Sequence, residues 1–586
     1  MKKILLLGLN LMMCLCMVSC DDLIDNPPLD KIDNDAYWKR ADDLDKYVLS
    51  FYTVFPTFKN SGVYAGTFAL DAVNGSDDEI RTNPNSVLNG TGAVVNSGGN
   101  WNWSSIRSIL FFFDNYQKCQ ADFNAYKHFL GEAYFFKAYL YFDKVKAYGD
   151  VPWYTKTLEM DSPELYMPRT PRTEVVDSIL YCLDKAIEYL SPLKTSSYGG
   201  SQRLSKEAAL IFKSRVGLYE GSWQKYHMGT DFATQGADPA KYFRAAVEAA
   251  EELMIPGKYK VGIYNTGEPA MDYTNLFNKT DYFATDEVIL WAGFSQDLNW
   301  THSLLDNLTR GTNDIHITWE LVSSYLSKNG SVYDYRKRAQ ILQGNDFLND
   351  IADNCDARLK QTVWMPDDIM WDNNSYGKHL FDKPYLMKGG EFKNITGFQL
   401  RKGIDPYYPG LGNPQLPCEI GAIIFRYAEA LLNYAEAKYE LGESVDYERS
   451  INLLRARAGM PKFSIPQNLA SSEKIDYGYS ISDELYEIRR ERRIELACEN
   501  FRSDDYRRWR AHKIFQGKRM HGYPFKSSEW EGTVDIPVDA DGFLDPHAVK
   551  CPNGYGFNEK RDYLQCIPTN EITLNPALEQ NPGWSD

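Results

Sequence analysis

The sequence predicts a mainly α fold in which paired helices build a repeat scaffold, with a loop-rich region and little β structure. Three observations predict it. Segments with apolar residues at three- and four-residue spacing recur along most of the 586 residues. Small residues alternate with rings inside those segments, which lets neighbouring helices approach closely. The polar stretches between them, chiefly 74–102, 265–312 and 344–412, are long and carry glycine and aromatic residues. A mean hydropathy of −0.47 excludes a polytopic membrane protein.

In chain order, Lys2 and Lys3 precede a mainly apolar run over 4–18, too short to cross a bilayer but right for the core of a signal peptide spanning 1–19. Met17-Val18-Ser19-Cys20 resembles a lipobox, so Cys20 is the expected lipidated N-terminus. Leucine is usual where Met17 stands, and ordinary cleavage with a free Cys20 thiol stays open. Several acyl chains on one residue give stable anchoring. Residues 20–35 read as a tether, and Asp21-Asp22 resembles the surface-export signal of some Gram-negative lipoproteins.

Helices are expected over 131–148, 175–190, 205–226, 240–254, 318–326, 422–441 and 447–458. In 131–148 the small residues Ala133 and Ala138 sit among rings, and Gly149-Asp-Val-Pro152 stops the helix. Thr170 or Thr173 is placed to cap the next. The recurring hairpins have the size and Ala/aromatic alternation of tetratricopeptide-like units, although the full 34-residue signature is not met. The stretch 532–586, rich in Pro and Gly, reads as a surface wrap.

A formal charge of −16 disfavours nucleic acid and anionic lipid as partners and suits a neutral ligand. Aromatic content is 14%, more than core volume needs, and flat rings stack on the C–H faces of sugars while Asn, Asp or Arg bond to the hydroxyls. H-E-x-x-H, G-x-S-x-G, G-x-x-x-x-G-K-[ST] and G-x-G-x-x-G are all missing, so the expectation is a binder and not an enzyme. A glycoside hydrolase remains the formal rival, since two carboxylates suffice for it. No cofactor is implied, and no EF-hand spacing points to calcium. After loss of the leader and Cys20, seven cysteines at wide spacing give neither a zinc pattern nor a dense disulfide framework. Cys551 and Cys566 are close enough in sequence to pair, or to remain free thiols.

Several blocks together resemble the SusD/RagB family of nutrient-binding outer-membrane lipoproteins. They are Cys20-Asp-Asp-Leu-Ile-Asp, Ala36-Tyr-Trp-Lys, Gly131-Glu-Ala-Tyr-Phe-Phe-Lys-Ala-Tyr, Tyr148-Gly-Asp-Val-Pro152, and a C-terminal series. That series holds Phe425-Arg-Tyr-Ala-Glu-Ala, Leu454-Arg-Ala-Arg-Ala-Gly, Ile488-Arg-Arg-Glu-Arg-Arg-Ile-Glu, Glu499-Asn-Phe-Arg and Asn581-Pro-Gly-Trp584. Each is weak alone; their order is the signal. The resemblance implies four tetratricopeptide-like units, an N-terminal region over 36–316 with the first binding loops, and a C-terminal region over 317–586. It also implies a surface-exposed, lipid-anchored place on the outer membrane, an oligosaccharide or polysaccharide ligand, and a SusC-like TonB-dependent transporter as partner. Captured ligand would be delivered as the protein closes over that transporter as a lid; RagB-like members are instead associated with peptide. The charged run from Arg489 to Glu495 is read as structural, pairing along and between helices.

Asp78, Arg81, Trp101 and Trp103 resemble the family's first binding loop. Asp78 and Arg81 would bond to hydroxyls or pair with each other within the loop. Trp101 is the better stacking candidate, because Trp103 directly precedes a helix and has a packing role open to it. Trp300 stands in the polar stretch 294–302 with no apolar stripe to join, either facing ligand or covering its loop. Trp371 and Trp364 are weaker candidates, and Trp319, spaced with Val322 and Leu326, is assigned to the core.

Overall fold

The computed structural model describes residues 34–55, 75–310, 314–387, 393–413, 416–467 and 474–584. The expected leader, Cys20 and most of the expected tether lie outside the described residues.

Helix dominates, and the helices that position the rest are α1 (Ala41–Leu49), α2 (Ser104–Asn115), α3 (Phe123–Tyr148), α4 (Arg172–Tyr189), α5 (Lys206–Tyr226), α6 (Pro239–Leu253), α7 (Tyr427–Glu440), α8 (Ile451–Arg457), α9 (Asp483–Glu495) and α10 (Arg502–Arg508). α3 pairs with α4 and α5 with α6, α4 also packs on α5, and α7 lies across α5 and α6, so successive hairpins share a continuous interior. Ser205 and Asp238 cap α5 and α6 through their side chains. α4 begins after Pro171 without a side-chain cap, so neither Thr170 nor Thr173 does that work. Gly149, at φ 72°, ends α3 as expected.

Two helical expectations are corrected. The stretch expected as helix from 422 begins as strand β6 (Ala422–Arg426), which pairs antiparallel with β2 (Val288–Ala292). Consecutive Ile423 and Ile424 suit a strand, and a short apolar run cannot be assigned by period alone. The 318–326 helix shrinks to Trp319–Val322. Conversely, the expected loop 344–412 contains a helix at Gly344–Asn354, whose Phe347, Leu348 and Ile351 are buried despite the Asn and Asp around them. β structure among the described residues is confined to two-stranded pairs, including β1 (Glu79–Ile80) with β3 (His316–Ile317) and β4 (Ile369–Asn373) with β5 (Gly377–Leu380). The seven described cysteines are all free, so Cys551 and Cys566 are not bridged.

Two features fix the interior. At the α5–α6 crossing, a Cβ on Gly217 would stand 2.6 Å from the Tyr242 carbonyl oxygen, and one on Gly221 would stand 2.7 Å from the Phe243 ring. The second feature is charge. Glu495 of α9 receives Arg457 and Arg426, Glu491 receives Arg455 and Arg358, and Glu436 of α7 receives Arg508. All of these side chains are at most 4% exposed. Burial alone would raise the pKa of Glu495, but the guanidinium groups of Arg457, Arg426 and Arg358 outweigh it and hold the carboxyl far below its usual range. Glu436 is lowered in the same way, with Arg508 the main opposing charge.

Gly217→Ala is expected to lower stability by about 1–3 kcal/mol through overpacking against the α6 backbone, read as a lower thermal midpoint. Stability should also fall in acid. Folded-state pKa values below the unfolded ones mean that the unfolded chain binds more protons, so the contribution is complete above a pH of about 4 and drains away as pH falls through the folded values. Urea titrations at pH 7, 4 and 3 will show a declining midpoint; a flat profile would contradict the pairing.

Candidate functional site

Three loop segments meet at one place and display rings to solvent. The first is a tight hairpin in which Ser295 and Trp300 exchange backbone hydrogen bonds of 2.8 and 3.0 Å. Asn299 closes that turn at φ 51°, a left-handed conformation that Asn tolerates better than most residues. Trp300 is 46% exposed, and its indole lies parallel to the Phe294 ring beneath it, with centroids 6.1 Å apart and planes within 5°. Phe294 is itself buried and meets the edge of His302 at 4.6 Å.

The second segment is the β4–β5 hairpin. Here Trp371 stacks on His379 at 4.2 Å, and Tyr376 stands exposed at the turn. The third segment, around 405–419, ties the other two together. The Asp372 amide donates to the Pro406 carbonyl at 2.8 Å, and Asn373 Nδ2 donates to the Leu411 carbonyl at 2.7 Å. On its far side, the Gln296 amide donates to Glu419 Oε1 at 2.7 Å and the His302 amide to the Cys418 carbonyl at 3.1 Å. Gly412 is favoured here by its φ of 109°, and a Cβ would also stand 3.1 Å from Tyr376 and 3.2 Å from Trp371 Nε1. Tyr407 is exposed on the same segment. Trp371 Nε1 is buried without a hydrogen-bond partner among the described residues. Asp297, Asn374 and Lys378 are exposed between the rings and supply hydrogen-bonding groups.

The structure thus brings Trp300 and Trp371 into one loop cluster and places the other expected site residues elsewhere. Asp78 is a correction: it is 2% exposed and turned into the body, where Arg493 Nε donates to its Oδ1 at 2.6 Å. Its partner is therefore on α9, not Arg81 within the loop. Burial raises its pKa, Arg493 and Arg502 oppose that rise, and the adjoining Asp77, gripped by Arg502 at 2.7 Å, stays ionised at low pH. Arg81 is half-buried; His547 Nε2 donates to its carbonyl oxygen at 2.8 Å, and its own Nε has no partner among the described residues.

Trp101 is 8% exposed, set edge-on against Tyr148 at 4.8 Å and Trp103 at 5.3 Å, so its faces are covered by protein. Trp103 is half-buried against Tyr141 and Tyr154, immediately before α2. A cavity of about 580 Å³ does adjoin this loop, but Asn100, Asn102 and Ser104 line it while the two intervening tryptophans do not. Within it Lys146 pairs with Asp504 at 3.0 Å and Arg215 with Glu429 at 2.6 Å. Trp364 and Trp319 are core residues, the first donating Nε1–H to the Leu308 carbonyl. Sequence reasoning missed Tyr376, Tyr407 and the supporting rings Phe294 and His379. A ring between turn residues, as in Asn373-Asn-Ser-Tyr-Gly377, was the available signal for Tyr376.

A model of the SusD family matches residues 274–584, more than half of the chain. A second, described as starch-binding and associating with the outer membrane, matches residues 100–218. Among curated relatives, SusD-like protein P2 of Formosa agariphila is 24% identical over 98% of both chains. SusD-like protein P38 of the same organism is 22% identical over 83% of this chain and 87% of its own. Of solved structures, a SusD-like protein of Bacteroides fragilis superposes with a TM-score of 0.69 at 22% identity, covering 95% of this chain and all of its own. A second B. fragilis structure, described as a SusD-like carbohydrate-binding protein, has a TM-score of 0.69 at 19% identity, covering 93% of this chain and all of its own. With a helical-repeat body, a loop cluster that carries the exposed rings and a family match of this extent, the chain belongs to the SusD family.

Proposed function

We propose that this protein is a glycan-binding lipoprotein of the outer-membrane surface, which captures oligosaccharide on its loop cluster and delivers it to a SusC-like TonB-dependent transporter by closing over it as a lid. The observation that carries the reading is the exposed Trp300 indole parallel to Phe294, on a hairpin that the 405–419 segment joins by hydrogen bonds to the hairpin of Tyr376 and the Trp371–His379 pair. A supported indole with one open face is preorganised for a pyranose ring, because little side-chain freedom is lost on binding. The family description of starch binding and outer-membrane association supports the same ligand class and place. Among the described residues no helix is long and apolar enough to cross a membrane, which leaves anchoring in this proposal to lipid on Cys20.

The proposed chemistry is capture without bond breaking. Stacking and hydroxyl hydrogen bonds hold a neutral sugar, and neither interaction breaks a bond.

Calorimetry of the protein against a panel of neutral oligosaccharides and peptides tests this. Trp300→Ala should weaken oligosaccharide binding about tenfold or more, since loss of one stacked ring removes on the order of 1–3 kcal/mol by analogy with aromatic platforms for bases. Trp101→Ala should act on thermal stability instead, because that ring is interior. Heat signals with peptides alone would replace this reading by the RagB-like one, and reducing sugar released from the panel would replace it by a hydrolase.

A further inference from the structure

On the helical body, with no residue shared with the loop cluster, α2, α3, α4 and the segment after α3 enclose a groove of about 460 Å³. That volume is within the range of small-molecule sites. Phe113, Tyr134, Trp153 and Tyr181 supply its rings. Lys137 of α3 lines it as well and is 7% exposed. Its Nζ lies 4.6 Å from the centroid of the Trp153 ring and 5.5 Å from that of Phe113. Lys137 has no hydrogen bond or ion pair with any described residue.

An ammonium taken out of water normally needs an anion, and ring quadrupoles replace only part of that hydration. The acids that border the groove are already committed. Asp177 accepts Lys241 at 2.6 Å and the Tyr242 hydroxyl at 3.2 Å, and Asp114 accepts the Thr157 amide at 2.9 Å and its hydroxyl at 2.5 Å. Burial accordingly lowers the Lys137 pKa against the weaker pull of the neighbouring Cys182 and Asp114. The charge elsewhere in the interior is arranged differently: Arg426, Arg457 and Arg358 each meet two or more carboxylates. At the rim, Tyr181 is 57% exposed and presents a ring beside the lysine. Behind the groove, Trp153 is braced by Tyr141 at 4.2 Å, and Tyr141 by Trp103 at 6.1 Å, so the wall is rigid.

We propose that this groove is a second carbohydrate subsite, which takes the anionic substituent of an acidic sugar residue, carboxylate or sulfate, on Lys137 with the sugar ring against Tyr181. It rests on the glycan-binding reading and adds an acidic ligand class at a separate place. A cation under aromatic rings discriminates by charge where the loop rings discriminate by shape, and the two together select a polysaccharide that carries both neutral and acidic residues.

The test is calorimetry of the full chain with trigalacturonate, its methyl ester and galactose 6-sulfate. The free acid or the sulfated sugar should bind, and which of them does names the anion; the ester should bind at least tenfold more weakly than the acid. Lys137→Met, which keeps the apolar stem, should weaken acidic binding at least tenfold and leave the thermal midpoint equal or higher, as expected when an unpaired buried charge is removed. Tyr181→Ala, at an exposed position, should weaken the same probe and keeps the test available if the lysine variant folds poorly. Equal binding of acid and ester with no binding of the sulfated sugar, or anion binding that survives both substitutions, would overturn the proposal. Neutral oligosaccharide binding that is lost in Trp300→Ala but kept in Lys137→Met upholds the loop reading whatever happens in the groove, so the two can fail separately.

Discussion

Pairing of buried charge is the constraint on which this structure rests. α9 carries Arg489, Arg492, Arg493, Glu491 and Glu495 into the interior, and each finds its partner on a different segment: Glu440 on α7, Asp505 on α10, Asp78 in the first long loop, Arg358 and Arg455 for Glu491, Arg426 and Arg457 for Glu495. Such pairs add little net stability over apolar residues of the same size, but leaving one partner alone costs about 3–5 kcal/mol. The penalty falls on alternatives. A loop that drifts from its place strands a charge, so segments hundreds of residues apart in sequence are held to one arrangement.

That lattice explains how the proposed binding surface can be made of loops. A ring displayed on a mobile loop would lose much of its stacking energy in ordering. Here the 295–300 hairpin is hydrogen-bonded to the 405–419 segment, that segment to the β4–β5 hairpin, and β2 leads from Glu287, which shares Arg426 and Arg457 with Glu495 of α9, directly to Phe294. Rigidity passes from the helical frame to the rings through short, hydrogen-bonded connections. The same frame supplies the second, charged groove, whose wall is built from rings backed by further rings and whose lysine meets no acid.

The first-loop motif shows how two roles separate on one stretch of chain. Asp77 and Asp78 anchor the loop to α9 and α10, and β1 then pairs with β3, so the motif positions structure. Trp101 and Trp103 follow the same logic: they seal the loop onto α3 and, through Tyr141, stiffen Trp153. A tryptophan in a polar segment signals either an interface or a seal, and exposure alone separates the two.

The helical class, the α3, α5 and α6 segments and the family could be read from the chain, because period and ordered motifs are local properties. Local pattern also picked out Trp300, a ring with no stripe to join. Strand β6 and the helix at Gly344–Asn354 were hidden, since a short apolar run has no period of its own and its identity depends on the partner strand or core that receives it. Which indoles face solvent, which aspartates face guanidinium groups, and that Lys137 lies beneath rings without an acid were settled only by tertiary structure. Exposure and charge pairing are relations between residues far apart in sequence, so no window of sequence contains them.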